Sequence, residues 1–165
     1  MTGGGSGAWI NNGGTFNPST STVIFTNAAA TISGTTNFYN ITINSGAGLT
    51  LGAGSITRIA GTMTNNGIWN ANPNDNVTVE YNGGDQTVLN PNGSTQGYHH
   101  LILSGTGTKT MPGTALIIHG DFSMAGTTTA TALAAMDIGG DFNTRIRYNF
   151  YHRDIESFDW RKFYE

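Results

Sequence analysis

The chain lacks cysteine and carries little charge. Only 10% of its 165 residues are charged, compared with about 25% in an average soluble domain. The absence of cysteine excludes a disulfide scaffold and a cysteine-ligated zinc site. The net charge of −3 provides no basic surface for nucleic acid or anionic lipid. No apolar run approaches the roughly 20 residues that span a bilayer. We therefore expect neither nucleic-acid binding nor membrane insertion.

Glycine and strand-forming residues are abundant instead. There are 24 glycines, and glycine and asparagine punctuate the chain as in a protein with many tight turns. Between these turns, short windows alternate apolar and polar residues, which is typical of half-buried strands. No window before residue 144 is typical of an amphipathic helix, so the sequence predicts an all-β protein. The predicted strands lie in windows 22–26, 38–43, 49–51, 77–81, 86–89, 99–103, 108–111, 115–119 and 121–124.

Short motifs recur along the chain. Two pairs of motifs are separated by the same number of residues, and a third pair is separated by roughly a third of that number. These offsets favour coils of about 20 residues, grouped in threes, with equivalent positions stacked on one another. A sandwich or barrel also has many short strands, but the repeat decides against both. The sequence predicts a right-handed parallel β-helix, or β-solenoid, of about seven coils. The motifs are GAWI at 7–10 and GIWN at 67–70, FYNITI at 38–43 and YHHLIL at 98–103, and GDFS at 120–123 and GDFN at 140–143.

The pattern divides the chain into three parts. Residues 1–7 are expected to be a flexible N-terminal segment, residues 8–143 the solenoid, and residues 144–165 a short non-repetitive segment. That last segment holds five of the seven Lys and Arg residues and no glycine. It is predicted to cap the last coil, although an appended segment stays open. Its candidate cap or interface residues are Ile146, Tyr148, Phe150, Ile155, Phe158, Trp160 and Phe163.

The N-terminal end of the predicted solenoid has no comparable segment. Residues 1–6 are mostly glycine and small polar residues. A solenoid end exposes unpaired backbone groups and apolar core, which favours edge-to-edge association. The sequence therefore predicts an open end at which self-association is possible.

Five strings of the N-terminal half resemble the repeats of large secreted or surface-exposed bacterial adhesin-like proteins, notably of the Bacteroidetes type. The resemblance implies a parallel β-solenoid outside the cell or on its surface, with any signal peptide removed or outside this chain. It implies no catalytic residues. Residues 144–165 depart from the expected next repeat, so a natural end cap, an unusual reading-frame end and an engineered fusion all stay open. The strings are GAWINNG at 7–13, GTFNP at 14–18, STVIF at 21–25, TISG at 31–34 and FYNITI at 38–43.

Carboxylates offer the first candidate chemistry. Asp121 and Asp141 occupy equivalent positions one coil apart, and stacked strands lie about 4.8 Å apart. Such a pair can share a proton or a cation. The ordinary alternative is that each aspartate caps its own turn. A polysaccharide lyase of β-helix type would also need basic residues nearby, and residues 8–143 offer only Arg58 and Lys109. A polysaccharide lyase or a glycoside hydrolase is therefore only an alternative. We expect no enzyme, cofactor or metal.

Turns and histidines are weaker candidates. The oxygen-rich turns at 72–76 and 82–85 lack a glycine-aspartate calcium repeat, and ordinary turn chemistry explains both. In the strand around residue 101, alternation places His99 on the inward side and His100 on the outward side. Because neighbours on a strand face opposite ways, this pair cannot chelate one ion.

Threonines give a last candidate surface. Segments 20–22, 62–64 and 108–110 resemble the Thr-x-Thr rows of ice-binding solenoids. They do not recur at one fixed coil position, and Lys109 interrupts the third. Threonine also suits ordinary strands and solvated faces.

The function that the sequence favours is a structural or adhesive module. Stacked coils form a stiff spacer, and its Thr- and Asn-rich surface suits weak, multivalent contacts with glycans or other surface molecules. A glycan-binding or glycan-active β-helix protein and an ice-binding protein are the alternatives.

Overall fold

A computed structural model describes residues 7–71, 74–93, 96–144 and 150–152. The described residues form parallel β-strands and no helix, so none of them forms a helix that could cross a membrane. This confirms the all-β prediction. The strands are β1 (Ala8–Asn11), β2 (Thr22–Phe25), β3 (Ala30–Phe38), β4 (Asn40–Ile43), β5 (Gly48–Leu51), β6 (Ile56–Ile59), β7 (Met63–Asn65), β8 (Ile68–Asn70), β9 (Thr78–Tyr81), β10 (Gln86–Thr87), β11 (His100–Leu103), β12 (Thr108–Thr110), β13 (Leu116–Ile118), β14 (Phe122–Met124), β15 (Thr129–Ala132), β16 (Met136–Ile138), β17 (Phe142–Thr144) and β18 (Phe150–His152).

The strands stack as the turns of a β-solenoid. One long face contains the second half of β3 followed by β6, β9, β11, β14 and β17, all paired in parallel. Each of these strands pairs with the strand one turn later in the chain, so that Phe38 lies beside Ile59, and Ile59 beside Tyr81. The face therefore crosses about six turns, rather than the predicted seven. The right-handed path, expected because parallel crossovers almost always have that hand, stays a prediction.

The rest of each turn forms smaller sheets. After the long face, the chain enters one of two sheets. The first has the order β2-β4-β7, and the second has the order β10-β12-β15-β18. The chain then enters β5 and β8, which continue the sheet of β1 and β3, or β13 and β16. Each turn thus buries its inward side chains against equivalent side chains of the turns before and after it.

The interior consists of columns of stacked apolar side chains. Along the long face, inward positions continue from turn to turn in register, and the aromatic rings of Phe122 and Phe142 stack with centroids 5.2 Å apart. Burying apolar surface in this way contributes roughly 25 cal/mol per Å². One fully buried column contains Phe38, Ile59, Tyr81, Leu103 and Met124.

The shorter sequence repeat reflects the stacking directly, whereas the longer one does so for only one of its two motif pairs. Phe122 pairs with Phe142, as the GDF echo requires. The 38–43 and 98–103 motifs instead supply β4 and β11, which belong to different sheets. The motifs at 7–10 and 67–70, however, supply β1 and β8, which lie three strands apart in one parallel stack through β3 and β5. The grouping of coils in threes therefore fits one of the two longer-offset pairs and fails for the other. Strands on different faces can carry similar sequences, because every strand alternates inward apolar and outward polar positions.

The first turn is partly closed by a loop in place of a strand on the long face. Between β1 and β2, the loop 12–21 places Phe16 against Trp9 and Phe38, with ring centroids 4.9 and 6.1 Å away. The Asn11 side chain donates to the carbonyl oxygen of Thr35 at 2.8 Å. The loop thus covers the core where Phe16 lies, while the outer edges of β1 and β2 have no partner among the described residues. Self-association at this end stays a prediction.

The C-terminal stack extends past the predicted repeat boundary at residue 143. Thr144 pairs with Met124 in β17, and the backbone of β18 pairs in parallel with β15, with Phe150 opposite Ala130. Six predicted cap residues lie outside the described residues, so the cap stays a prediction. They are Ile146, Tyr148, Ile155, Phe158, Trp160 and Phe163.

Close stacking predicts a strong effect of a side chain at Gly34. Gly34 has a φ of 78°, and a Cβ there would collide with the carbonyl oxygen of Asn11 in the neighbouring turn. We expect Gly34→Ala to lower the free energy of unfolding by about 2 kcal/mol or more. Chemical denaturation measures the loss. Gly113→Ala is the matched control, because its Cβ meets no atom within 4 Å; equal losses in both variants would contradict the stacking.

Candidate functional site

A regular array of threonines covers the outer surface of β10, β12 and β15. Thr108 pairs with Thr129, Thr87 pairs with Thr110, and Thr110 pairs with Thr131. Four of these five residues are exposed, and Thr131 is half-buried. The Thr108 and Thr129 hydroxyl oxygens are 3.4 Å apart. We call these five residues the threonine face.

The threonine face corrects the expectation that threonine rows do not recur. Thr108-x-Thr110 and Thr129-x-Thr131 occupy the same position in successive turns. Lys109 does not interrupt the row, because its side chain is fully buried inside the solenoid. Hydroxyl groups therefore repeat about every 4.8 Å across turns and about every 6.6 Å along a strand. The offset between the two rows also separates the paired Leu101 and Phe122, and this shared offset was the signal that could have revealed the array.

Below the threonine face, Lys109 is held by a cage of oxygen atoms. Its Nζ donates to the carbonyl oxygens of Gly83 at 2.8 Å, Gly84 at 2.6 Å and Thr106 at 3.2 Å. It also contacts the side-chain oxygen of Gln86 at 2.9 Å. A buried ammonium is costly unless its N–H groups are bonded, and here they are all bonded. The sequence alone suggested Lys109 only as a basic residue for a lyase and as an interruption of a threonine row.

Gln86 connects this cage to the preceding turn. Its Oε1 accepts from the N–H of Gly83 at 2.8 Å, and its Nε2 donates to the carbonyl oxygens of Ile59 at 2.8 Å and Gly61 at 2.7 Å. The side chain is buried, and its amide oxygen and both amide hydrogens are engaged. Gln86 and Lys109 thus link three successive turns through polar contacts.

The oxygen-rich turn at 82–85 binds the lysine ammonium. The carbonyl oxygens that a metal would need at Gly83 and Gly84 already accept from Lys109. Burial lowers the pKa of Lys109 to about 8, and the charge of Asp85 opposes this shift. The structure thus gives a specific reason for interpreting this segment as an ordinary turn, because its carbonyl oxygens bind Lys109. Part of the other predicted turn, 72–76, lies outside the described residues.

A second polar ladder follows one corner of the solenoid. The Asp141 N–H donates to Oδ1 of Asp121 at 2.9 Å, and the Asp121 N–H donates to Nδ1 of His100 at 2.9 Å. Nε2 of His100 lies 2.9 Å from Oδ1 of Asn76. Asp121 therefore caps the next turn, and not its own as one prediction held. The structure stacks the two predicted aspartates, and the Asp121 carboxylate bonds to the backbone of Asp141.

The hydrogen bonds of this ladder indicate that the His100 imidazole is neutral. Because Nδ1 accepts the Asp121 amide hydrogen, the ring proton lies on Nε2, where it donates to Asn76. Burial lowers the pKa of His100, the nearby His99 ring lowers it further, and Asp121 opposes both effects. Protonating Nδ1 would remove the acceptor for the Asp121 amide. The predicted outward orientation of His100 is consistent with its place beside the buried Leu101. The prediction that His99 and His100 face opposite ways is wrong, because their ring centroids are 4.4 Å apart.

The basic residues of the solenoid body lie away from the aspartate pair. Arg58 forms an ion pair with Glu80 at 2.7 Å on the outer surface of β6 and β9, and Lys109 lies in its cage. Among residues 7–71, 74–93, 96–144 and 150–152, no group of three or more His, Asp or Glu side chains is arranged to hold a metal ion.

No family model, curated protein or solved structure is significantly similar to this chain. The resemblance to adhesin-like repeats, the extracellular location and the absence of enzymatic activity therefore stay predictions. The threonine face and the two polar ladders are the features from which function can be argued.

Replacing Lys109 tests the oxygen cage. Lys109→Met keeps a long apolar stem but removes the hydrogen bonds of the ammonium to Gly83, Gly84 and Gln86. The Gly83 and Gln86 oxygens each keep another donor, the N–H groups of Thr106 and Gly83. Each lost hydrogen bond to a charged group costs about 1.5–3 kcal/mol, partly offset by removing a buried charge. We expect a net loss of about 2–3 kcal/mol in the free energy of unfolding, measured by urea denaturation. Thr110→Val, at the exposed neighbouring position, is the control; a stable Lys109→Met protein would contradict the role of the cage.

The His100 ladder predicts lower stability in acid. Because the folded-state pKa lies below the ordinary value of about 6.5, the unfolded chain binds the proton more readily. The contribution of His100 is complete above about pH 6.5 and is lost as the pH falls toward the folded-state pKa. We expect the free energy of unfolding to fall more steeply between neutral pH and about pH 5 in the wild type than in His100→Asn, whose amide oxygen can still accept. His119→Asn is the control at an exposed position; parallel curves for wild type and His100→Asn would exclude this coupling.

Proposed function

We propose that the protein is a structural solenoid module that contacts extended surfaces through its threonine face. The observation that carries the proposal is the register of Thr108 and Thr110 with Thr129 and Thr131. Equivalent hydroxyl groups repeat on a stiff parallel scaffold, so many weak hydrogen bonds can form together. Such bonds are weak singly, but their joint effective concentration raises the overall affinity.

The chemistry of the face favours a neutral, hydroxyl-rich partner. The five threonines present donors and acceptors but no charge, and Lys109 is withdrawn below them. Insoluble polysaccharides present repeated hydroxyl groups on an extended surface, which suits this array. We propose binding without catalysis, because the Asp121 carboxylate is engaged in the ladder and the two basic residues of the body lie elsewhere.

Binding to suspended crystalline polysaccharide tests this function. We expect cellulose or chitin particles to sediment the wild-type protein, and Thr108→Val/Thr110→Val/Thr129→Val to lose most of that binding. Valine keeps the branched shape that suits a strand and removes only the hydroxyl group. Circular dichroism confirms that each variant keeps its strand content.

The control variant carries the same threonine-to-valine changes on another sheet. Thr22, Thr42 and Thr64 lie on β2, β4 and β7, where Thr42 pairs with Thr64. The triple valine variant there should bind like the wild type. Absence of wild-type binding to both particles, or equal loss in both triple variants, would contradict the proposal.

Ice binding is the second candidate, and the same register favours it. Paired Thr-x-Thr rows on successive turns form a flat, regular hydroxyl array, which is the kind of surface that can order water in a lattice. We expect thermal hysteresis from the wild-type protein at high concentration, and its loss when Thr110→Lys places a charge on the array. A wild-type protein with no hysteresis would end this candidate.

A further inference from the structure

The N-terminal part of the solenoid carries no charged side chain. Residues 1–57 contain no Asp, Glu, Lys, Arg or His, and all the charged side chains follow from Arg58 onward. The described part of this segment includes β1 to β5. Soluble β proteins usually protect an edge strand with charge, proline or a bulge, and β1, with the sequence AWIN, has neither charge nor proline.

The outer edge of β1 presents backbone groups that the solenoid leaves unpaired. The Thr31 N–H donates to the carbonyl oxygen of Gly7 at 3.3 Å. Backbone groups point alternately to the two sides of a strand. The N–H and C=O groups of Trp9 therefore also point toward β3, while those of Ala8 and Ile10 point outward. No described residue pairs with that side.

The surface beside this edge is apolar. The Ile10 side chain is 63% exposed, the highest value among the large hydrophobic residues described. A cleft of about 370 Å³ lies between β1 and the loop that carries Phe16, and it is lined by Trp9, Ile10, Thr15 and Phe16 among others. An unpaired strand edge therefore lies next to an apolar recess.

We propose that this edge pairs with β1 of a second copy of the chain, antiparallel and about a two-fold axis. In such an interface the same patch meets itself, so any charge on the patch would face an identical charge. The uncharged N-terminal edge avoids this repulsion, whereas the side chains of the rest of the chain carry the whole net charge of −3. Side-chain charge therefore does not oppose contact between the two N-terminal ends.

Sedimentation equilibrium of the full 165-residue chain tests the pairing. We expect a concentration-dependent equilibrium between the 17.4 kDa monomer and a dimer, with no larger species. Ile10→Pro removes the outward N–H together with the exposed isoleucine side chain, and proline is tolerated on an edge strand. This variant should remain monomeric over the same concentrations, with strand content and melting temperature close to those of the wild type.

A charge variant supplies a second, independent readout. Ile10→Lys places like charges opposite each other, so we expect the dimer dissociation constant to rise at least about tenfold at low salt. High salt should restore part of the dimer by screening the repulsion. Ile117→Lys is the matched control, since it changes an exposed isoleucine on β13, away from the N-terminal edge, and should dimerise like the wild type.

Three results would overturn the proposal. The first is a wild-type chain that stays monomeric at the highest soluble concentration. The second is a folded Ile10→Pro protein that dimerises as the wild type does. The third is growth beyond a dimer into open polymers, since that requires head-to-tail contact between the two different ends.

Discussion

Parallel stacking in register is the constraint on which the whole structure depends. Each turn presents its inward side chains to equivalent side chains about 4.8 Å away, so no turn can form its core alone. The same spacing brings Gly34 so close to Asn11 that a single methyl group would not fit. A residue type that recurs once in every turn also forms a continuous column, either in the interior or on the outer surface of the solenoid.

The polar contacts between turns follow from this stacking. A strand hydrogen-bonds to both neighbouring turns, but the corners between strands leave backbone groups that need other partners. Lys109 and Gln86 satisfy such groups in the interior, whereas His100 and Asp121 do so at one corner. The residues with the most distinctive chemistry are therefore engaged in holding turns together. The outward threonines take no part in these polar contacts between corners, which is why the proposed function rests on them.

Much of the fold could be predicted from the sequence, whereas most of the candidate site could not. Alternation located strands such as β9 and β11, and the GDF echo identified the true stacking of Phe122 on Phe142. The echo between residues 38–43 and 98–103 was misleading, because alternation gives strands on different faces similar residue types. Lys109 appeared to interrupt a threonine row, since its charge suggested an outward position. Its burial depends on the carbonyl oxygens of Gly83 and Gly84, which are distant in sequence and belong to the preceding turn.

The sequence by itself determined the class of structure: an all-β solenoid built from short, repeated turns, without cysteine chemistry or a basic surface. Local alternation and turn residues are sufficient for this, because they act within a few positions along the chain. Only the tertiary structure decided the register between turns. That register aligned the threonines into one face, placed Lys109 in its oxygen cage, and set Phe16 over the first turn. Each of these arrangements depends on which residues of neighbouring turns lie opposite each other. Small changes in turn length alter this register without changing the local alternation of the sequence.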